Sequence, residues 1–170
     1  MIYKINKKGF TLMELLVTVV LVAIIASYAV YQYSSIMDEG RVKAAKGKLA
    51  ALGGATARFL MENAPGSGCD WWNTGEIISP STLADHAQCV GEEVDHKWYM
   101  YDVFACGYAE RSLGLNNHFN FYFGCPSQYS CGNYDSLTVF MKPKPENASN
   151  SNFPSCAYFD PETDKVVEVQ

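Results

Sequence analysis

Glu14 is out of place for a charge. It sits inside "FTLMELLVTVVLVAIIASYAVYQY", residues 10–33, a run with no other formal charge. An acid in a membrane-length apolar run costs about 2.5–3.5 kcal/mol on insertion scales, so it implies a function and a partner. Lys4, Lys7, Lys8 and Gly9 lie just upstream. The remaining chemistry-bearing residues gather much later. Six cysteines, Cys69, Cys89, Cys106, Cys125, Cys131 and Cys156, all fall beyond residue 68. An even number confined to one region fits a disulfide-bonded domain in an oxidising compartment. A zinc site is the rival, but there is no CxxC pair, and His86, His96 and His118 are not at ligand spacing. The pairing stays open, although Cys69 and Cys89 share one loop-like stretch.

A third group is Asp160, Glu162 and Asp164 in "DPETD". Their oxygens could ligate calcium, but the EF-hand spacing and glycine are missing, and an acidic turn is the plainer reading. No GxSxG, HExxH or P-loop string is present. Asp85-His86 and Asp95-His96 are adjacent pairs without an inferable nucleophile. No catalytic residue and no cofactor is therefore expected. Asn147-Ala148-Ser149 is a formal sequon. Trp71-Trp72 reads as packing of a loop onto a helix.

The elements that position these residues follow from pattern. The 170-residue chain is 48% hydrophobic and 14% aromatic, enough for one cored domain and an appendage. Its net charge of −5, with the one tight lysine group at the extreme N-terminus, argues against nucleic-acid binding as the main task. Residues 10–33 are long enough to span a hydrocarbon core, and the flanking lysines put the N-terminus on the cytoplasmic side. In 34–62, Val42, Ala45, Leu49, Leu52, Thr56, Phe59 and Leu60 recur at helical spacing. Nothing between the two stretches looks like a turn, so one helix is expected over about 10–62. Gly40, Gly47 and Gly53-Gly54 weaken it locally, and "NAPGSG" stops it. Residues 66–98 are irregular, with one short helix in "STLADHAQCV". "WYMYDVFAC", "HFNFYFG" and "LTVFMK" read as strands, and "CAYFDPETDKVVEVQ" as a final hairpin.

Three readings of the N-terminus remain. A cleaved secretory signal explains the lysines and "SYA" at 27–29, but neither the length of the run nor Glu14. A single-pass anchor for a periplasmic enzyme or binding protein explains the length but not the acid. The third rests on likeness: "KKGFTLMELLV" resembles the N-terminus of the type IV pilin family, which includes the pseudopilins of type II secretion. The resemblance covers residues 4–62 closely and the remainder in layout alone.

The resemblance implies an α+β, pilin-like fold: a long N-terminal helix packed at its C-terminal half on a small antiparallel sheet. It implies a leader at 1–9, a membrane or stalk half at 10–33, an amphipathic half at 34–62, and a disulfide-containing domain at 63–170. A prepilin peptidase would cut after Gly9 and methylate the amine of Phe10. Glu14 would pair with a neighbour's amine and set register, since either charge is costly unpaired in a dry bundle. The function implied is a structural, non-enzymatic subunit of a pilus-like homopolymer. It would be inserted in the inner membrane as a precursor and polymerised by the family's assembly ATPase and machinery. The alternative is a periplasmic pseudopilus subunit. One departure stands out: Tyr31 occupies the place where many members carry a helix-loosening proline.

Overall fold

The N-terminal helix, α1, runs unbroken over Leu12–Asn63, within two residues of the expected bounds. It continues through Tyr31, which keeps the N–H that proline would lack, and through Gly40 and Gly47. The computed structural model describes residues 10–63, 77–79, 89 and 100–169. The stop at "NAPGSG", Trp71-Trp72 and most of the "STLADHAQCV" stretch lie outside the described residues. The chain divides into two compact units, Met1–Asp38 and Glu39–Gln170.

In the second unit, α1 buries Val42, Ala45, Leu49, Leu52, Gly53, Thr56 and Phe59. Six of these are positions that the helical spacing singled out, and Leu60 packs against the same core half-buried. The opposing surface is a four-stranded antiparallel meander, ordered β1 (Phe119–Gly124), β2 (Thr138–Pro143), β3 (Cys156–Asp160) and β4 (Lys165–Val169). Strand alternation puts Phe119, Phe121, Phe123, Val139, Met141, Ala157 and Phe159 in the main core with the α1 stripe. Register pairs Phe121 with Met141 and Phe123 with Val139. The same alternation sends Tyr122, Phe140 and Tyr158 to the opposite face as cross-strand partners.

One expected strand is a helix. Residues Met100–Ala105 form a short helix, α2, in place of the strand expected from "WYMYDVFAC". The aromatic and β-branched run was too short for its period to separate strand from helix. Its ending decides the matter. Gly107 takes φ +80°, the Tyr108 N–H donates to the Val103 carbonyl (3.0 Å), and the Gly107 N–H donates to the Phe104 carbonyl (3.2 Å). This is the glycine-terminated Schellman arrangement of a helix C-terminus. Lys48 of α1 holds the next segment by donating to the carbonyls of Ser112 (3.1 Å) and Leu115 (2.6 Å).

Gly53 has a role that helix propensity hides. A Cβ placed there would fall on the Phe159 ring, whereas one at Gly54 would meet nothing within 4 Å. The helix therefore lies directly on β3 at Gly53. The same substitution should have opposite effects at adjacent positions. Gly53→Ala should lower stability by about 1–3 kcal/mol through overpacking, and Gly54→Ala should raise it by up to about 1 kcal/mol through propensity. Thermal unfolding of the detergent-solubilised full chain, followed by circular dichroism, checks both signs.

Candidate functional site

Two places bring chemistry-bearing residues together: the start of α1, and the far face of the sheet with its bridges and turn. At the first, the Thr11 carbonyl accepts the first helical hydrogen bond, from the Leu15 N–H at 3.2 Å, so Thr11 is the N-cap. Its hydroxyl oxygen accepts from the Glu14 N–H at 3.3 Å. Glu14 Oε2 in turn accepts from the Thr11 N–H and from the Thr11 hydroxyl, each at 2.9 Å. This reciprocal pattern is a capping box, with Glu14 at the third helical position. A carboxylate there also meets the positive end of the helix dipole. Glu14 thus has a local structural role that the sequence reading passed over, although Thr-x-x-Glu before an apolar run was the signal for it.

Phe10 precedes the cap and is 80% exposed. Gly9 and the three lysines lie outside the described residues. Beyond the cap, every large apolar side chain from Leu12 to Met37 is exposed to solvent in the single chain. Three short hydroxyls in this stretch are closed internally. Thr18 donates to the Leu15 carbonyl, Ser27 to that of Ala23 and Ser34 to that of Tyr31, at 2.8–2.9 Å. The segment is long and apolar enough to cross a membrane.

The cysteines reappear as bridges. Cys131 pairs with Cys156 (Cα–Cα 5.5 Å) and Cys89 with Cys106 (4.6 Å). Cys125 is also disulfide-bonded, and Cys69 lies outside the described residues. The Cys131–Cys156 bridge ties the segment after β1 onto β3 across the far face of the sheet. There Tyr122 stacks on Phe140 (centroids 5.2 Å), Tyr129 lies 5.2 Å from Phe140, and Tyr134 stacks on Tyr158 at 5.3 Å. Lys142 adds a hydrogen bond to the Tyr129 carbonyl. Phe140, Cys131 and Cys156 form a second, smaller core, packed by Tyr122, Tyr129 and Tyr158.

The acidic hairpin turn directs its first carboxylate inward. Asp160 Oδ2 accepts from the Thr163 hydroxyl at 2.8 Å and Oδ1 from the Glu162 N–H at 2.9 Å. Asp164 takes φ +54°, a conformation that Asp tolerates better than most residues. Both Asp160 oxygens serve the turn. Among the described residues, no group of three or more His, Cys, Asp or Glu side chains is placed to hold a metal ion.

Comparison with known proteins bears on the N-terminus. Residues 4–30 match the family described as "Prokaryotic N-terminal methylation motif". Over that segment the chain resembles type IV pilin-family proteins. Similarity extends further to the type II secretion system core protein G of Pseudomonas aeruginosa, at 37% identity over 58 residues. That stretch covers 34% of this chain and 41% of the relative, so well under half of the relative's length is represented. No solved structure matches. The prepilin motif and the apolar helix fit a membrane-anchored precursor of a pilin or pseudopilin subunit.

The Asp160 turn is the place where pH should act on the C-terminal hairpin. The Thr163 hydroxyl is the main group holding the Asp160 carboxyl below its ordinary range; burial pushes the other way, and the N–H groups of Glu162 and Thr163 add smaller downward pulls. A depressed carboxyl stabilises the fold above its unfolded pKa and loses that contribution as pH falls through the folded value. Thr163→Val should move the Asp160 titration, followed by NMR, upward toward the ordinary aspartate range. The variant should be less stable than the parent at neutral pH, and the gap should close at pH values below the folded pKa.

Proposed function

We propose that this chain is the structural subunit of a type IV pilus-like filament, with no catalytic activity of its own. It would be inserted in the inner membrane as a precursor with its N-terminus cytoplasmic, cleaved after Gly9 and methylated at Phe10 by a prepilin peptidase. The family's assembly ATPase and inner-membrane machinery would then polymerise it with copies of itself. The observation that carries this reading is the uncovered apolar surface running from Phe10 to Met37 behind a capped, acid-bearing helix start. That surface is stable in lipid or against neighbouring helices, and a filament core offers the second after the first. Residues 63–170, with their bridges, would form the domain outside the membrane.

A pseudopilus is the second reading. The similarity of a 58-residue stretch, 34% of the chain, to a type II secretion core protein favours it, and the filament would then be periplasmic. The cysteine-rich domain beyond the helix weighs toward a surface pilus. Mass measurement with N-terminal sequencing of the exported protein tests processing. The expected result is a methylated Phe10 start. An intact Met1 or a start at Val30 would replace the pilin reading with an anchor or a secretory signal.

Glu14 variants separate the cap from the intersubunit pair. Glu14→Gln keeps a side-chain acceptor for Thr11 but removes the charge, whereas Glu14→Ala removes both. If register depends on a neighbour's amine, both variants should reduce filament yield at least tenfold. If capping alone matters, Glu14→Gln should assemble like the parent. Filament recovery by shearing or electron microscopy reads the difference.

A further inference from the structure

The apolar stretch is longer than a bilayer requires. From Leu15 to Met37 it carries no Asp, Glu, Lys or Arg, and the next charge is Asp38. Phe10 to Met37 measures about 40 Å along a helix rising about 1.5 Å per residue, against a hydrocarbon core of about 30 Å. Either the whole stretch tilts into lipid, or something fixes where lipid ends.

The tyrosines differ from Thr18, Ser27 and Ser34 of the same helix. Residues 10–27 contain no Tyr or Trp, whereas Tyr28, Tyr31 and Tyr33 fall within six residues at the far end. They are 68%, 74% and 64% exposed. At about 100° per residue they spread over more than half of the helix circumference. Thr18, Ser27 and Ser34 satisfy their hydroxyls on carbonyls of the preceding turn, so they can enter hydrocarbon. The tyrosine hydroxyls stand at the ends of long rings. Tyr28 accepts from Gln32 Nε2 at 3.1 Å. None of the three phenols donates to the helix backbone in a hydrogen bond seen among the described residues. Burying such a group in hydrocarbon without a partner is costly. A ring in the interface with its hydroxyl among water and headgroups satisfies both ends. Tyr28 lies about 27 Å from Phe10 along the helix, close to one hydrocarbon thickness.

We propose that Tyr28, Tyr31 and Tyr33, with Gln32, form an interfacial belt that binds the outer headgroup region of the inner membrane and fixes the depth of the precursor. Hydrocarbon then ends near Ser27, and the apolar residues Ile36 and Met37 stay outside lipid. This rests on the membrane-anchored reading of the precursor.

Single-cysteine labelling tests it, because no described cysteine is free to add background. The full-length precursor is expressed without assembly machinery, and spheroplasts are treated with a membrane-impermeant maleimide. Ser34→Cys should label at least ten times faster than Ala26→Cys. Adding Tyr28→Leu, Tyr31→Leu and Tyr33→Leu together, which keeps the helix apolar but removes the phenols, should slow Ser34→Cys to the rate of Ala26→Cys. The belt is overturned if Ser34→Cys is as protected as Ala26→Cys in the parent, or if the leucine changes leave its rate unaltered. Rapid labelling at both positions with extraction by alkaline carbonate would instead refute the membrane anchor, and the belt with it.

Discussion

A helix of 52 residues exceeds what this chain's own sheet can cover, and most of the molecule's organisation follows from that limit. From Val42 to Phe59 the helix has a partner, and a stripe of small and medium apolar side chains suffices because the sheet supplies the bulk. Phe159 fills the space that Gly53 leaves, and Phe119, Phe121 and Phe123 share the core with Ala45. Interiors are packed closely enough that such size complementarity matters atom by atom. Over Leu12–Met37 the side chains change character. They become large, apolar and exposed all around the helix, the composition of a segment solvated by lipid or by other helices.

The sheet has two faces and uses them differently. One carries the main core against α1. The other carries an aromatic row, Tyr122, Phe140 and Tyr158, covered by the segment that follows β1 and held by the Cys131–Cys156 bridge. A strand pair with both faces buried needs such a cover, because a half-exposed ring such as Tyr122 contributes less burial than Phe121 behind it. The bridge closes a loop that contains β2, so it removes freedom from the unfolded chain where the sheet must form its central pairing. Lys46 and Glu168 join α1 to the outermost strand in an ion pair that is partly exposed. Such pairs contribute little to net stability, and this one orients β4 more than it holds it.

Much of this was legible in the amino-acid order because periodicity speaks plainly over long stretches. The α1 stripe from Val42 to Phe59 and the four strands came from the steps of three and four, the alternation and the turn residues. What was not legible depended on short range or on tertiary approach. Six residues ending in Ala105 cannot show a helical period, and the glycine that closes α2 looks the same in sequence as one that ends a strand. Gly53 and Gly54 are indistinguishable as helix weakeners. Only the position of Phe159, more than a hundred residues later, gives one a packing role. Bridge pairing was open for the same reason, since it depends on which segments the sheet brings together. Thr11 was legible and unread: a threonine three residues before a glutamate is a cap signal, but the acid's position in an apolar run drew attention to distant partners.

The capping box and an intersubunit pair are compatible, and together they explain how one carboxylate serves a chain with two environments. Only Oε2 of Glu14 takes the two hydrogen bonds from Thr11. In lipid the acid needs local donors, and the helix start supplies them together with a favourable dipole, which offsets part of the insertion cost. On the filament reading, Oε1, which takes neither hydrogen bond from Thr11, would serve an external cation in a bundle of helices. The cap holds the side chain in one direction beforehand, so less conformational freedom is lost when an ammonium arrives. A cap without a charge would start the helix equally well but would leave nothing to distinguish one register from the next. A charge without the cap would be costly in the membrane that the precursor must occupy first.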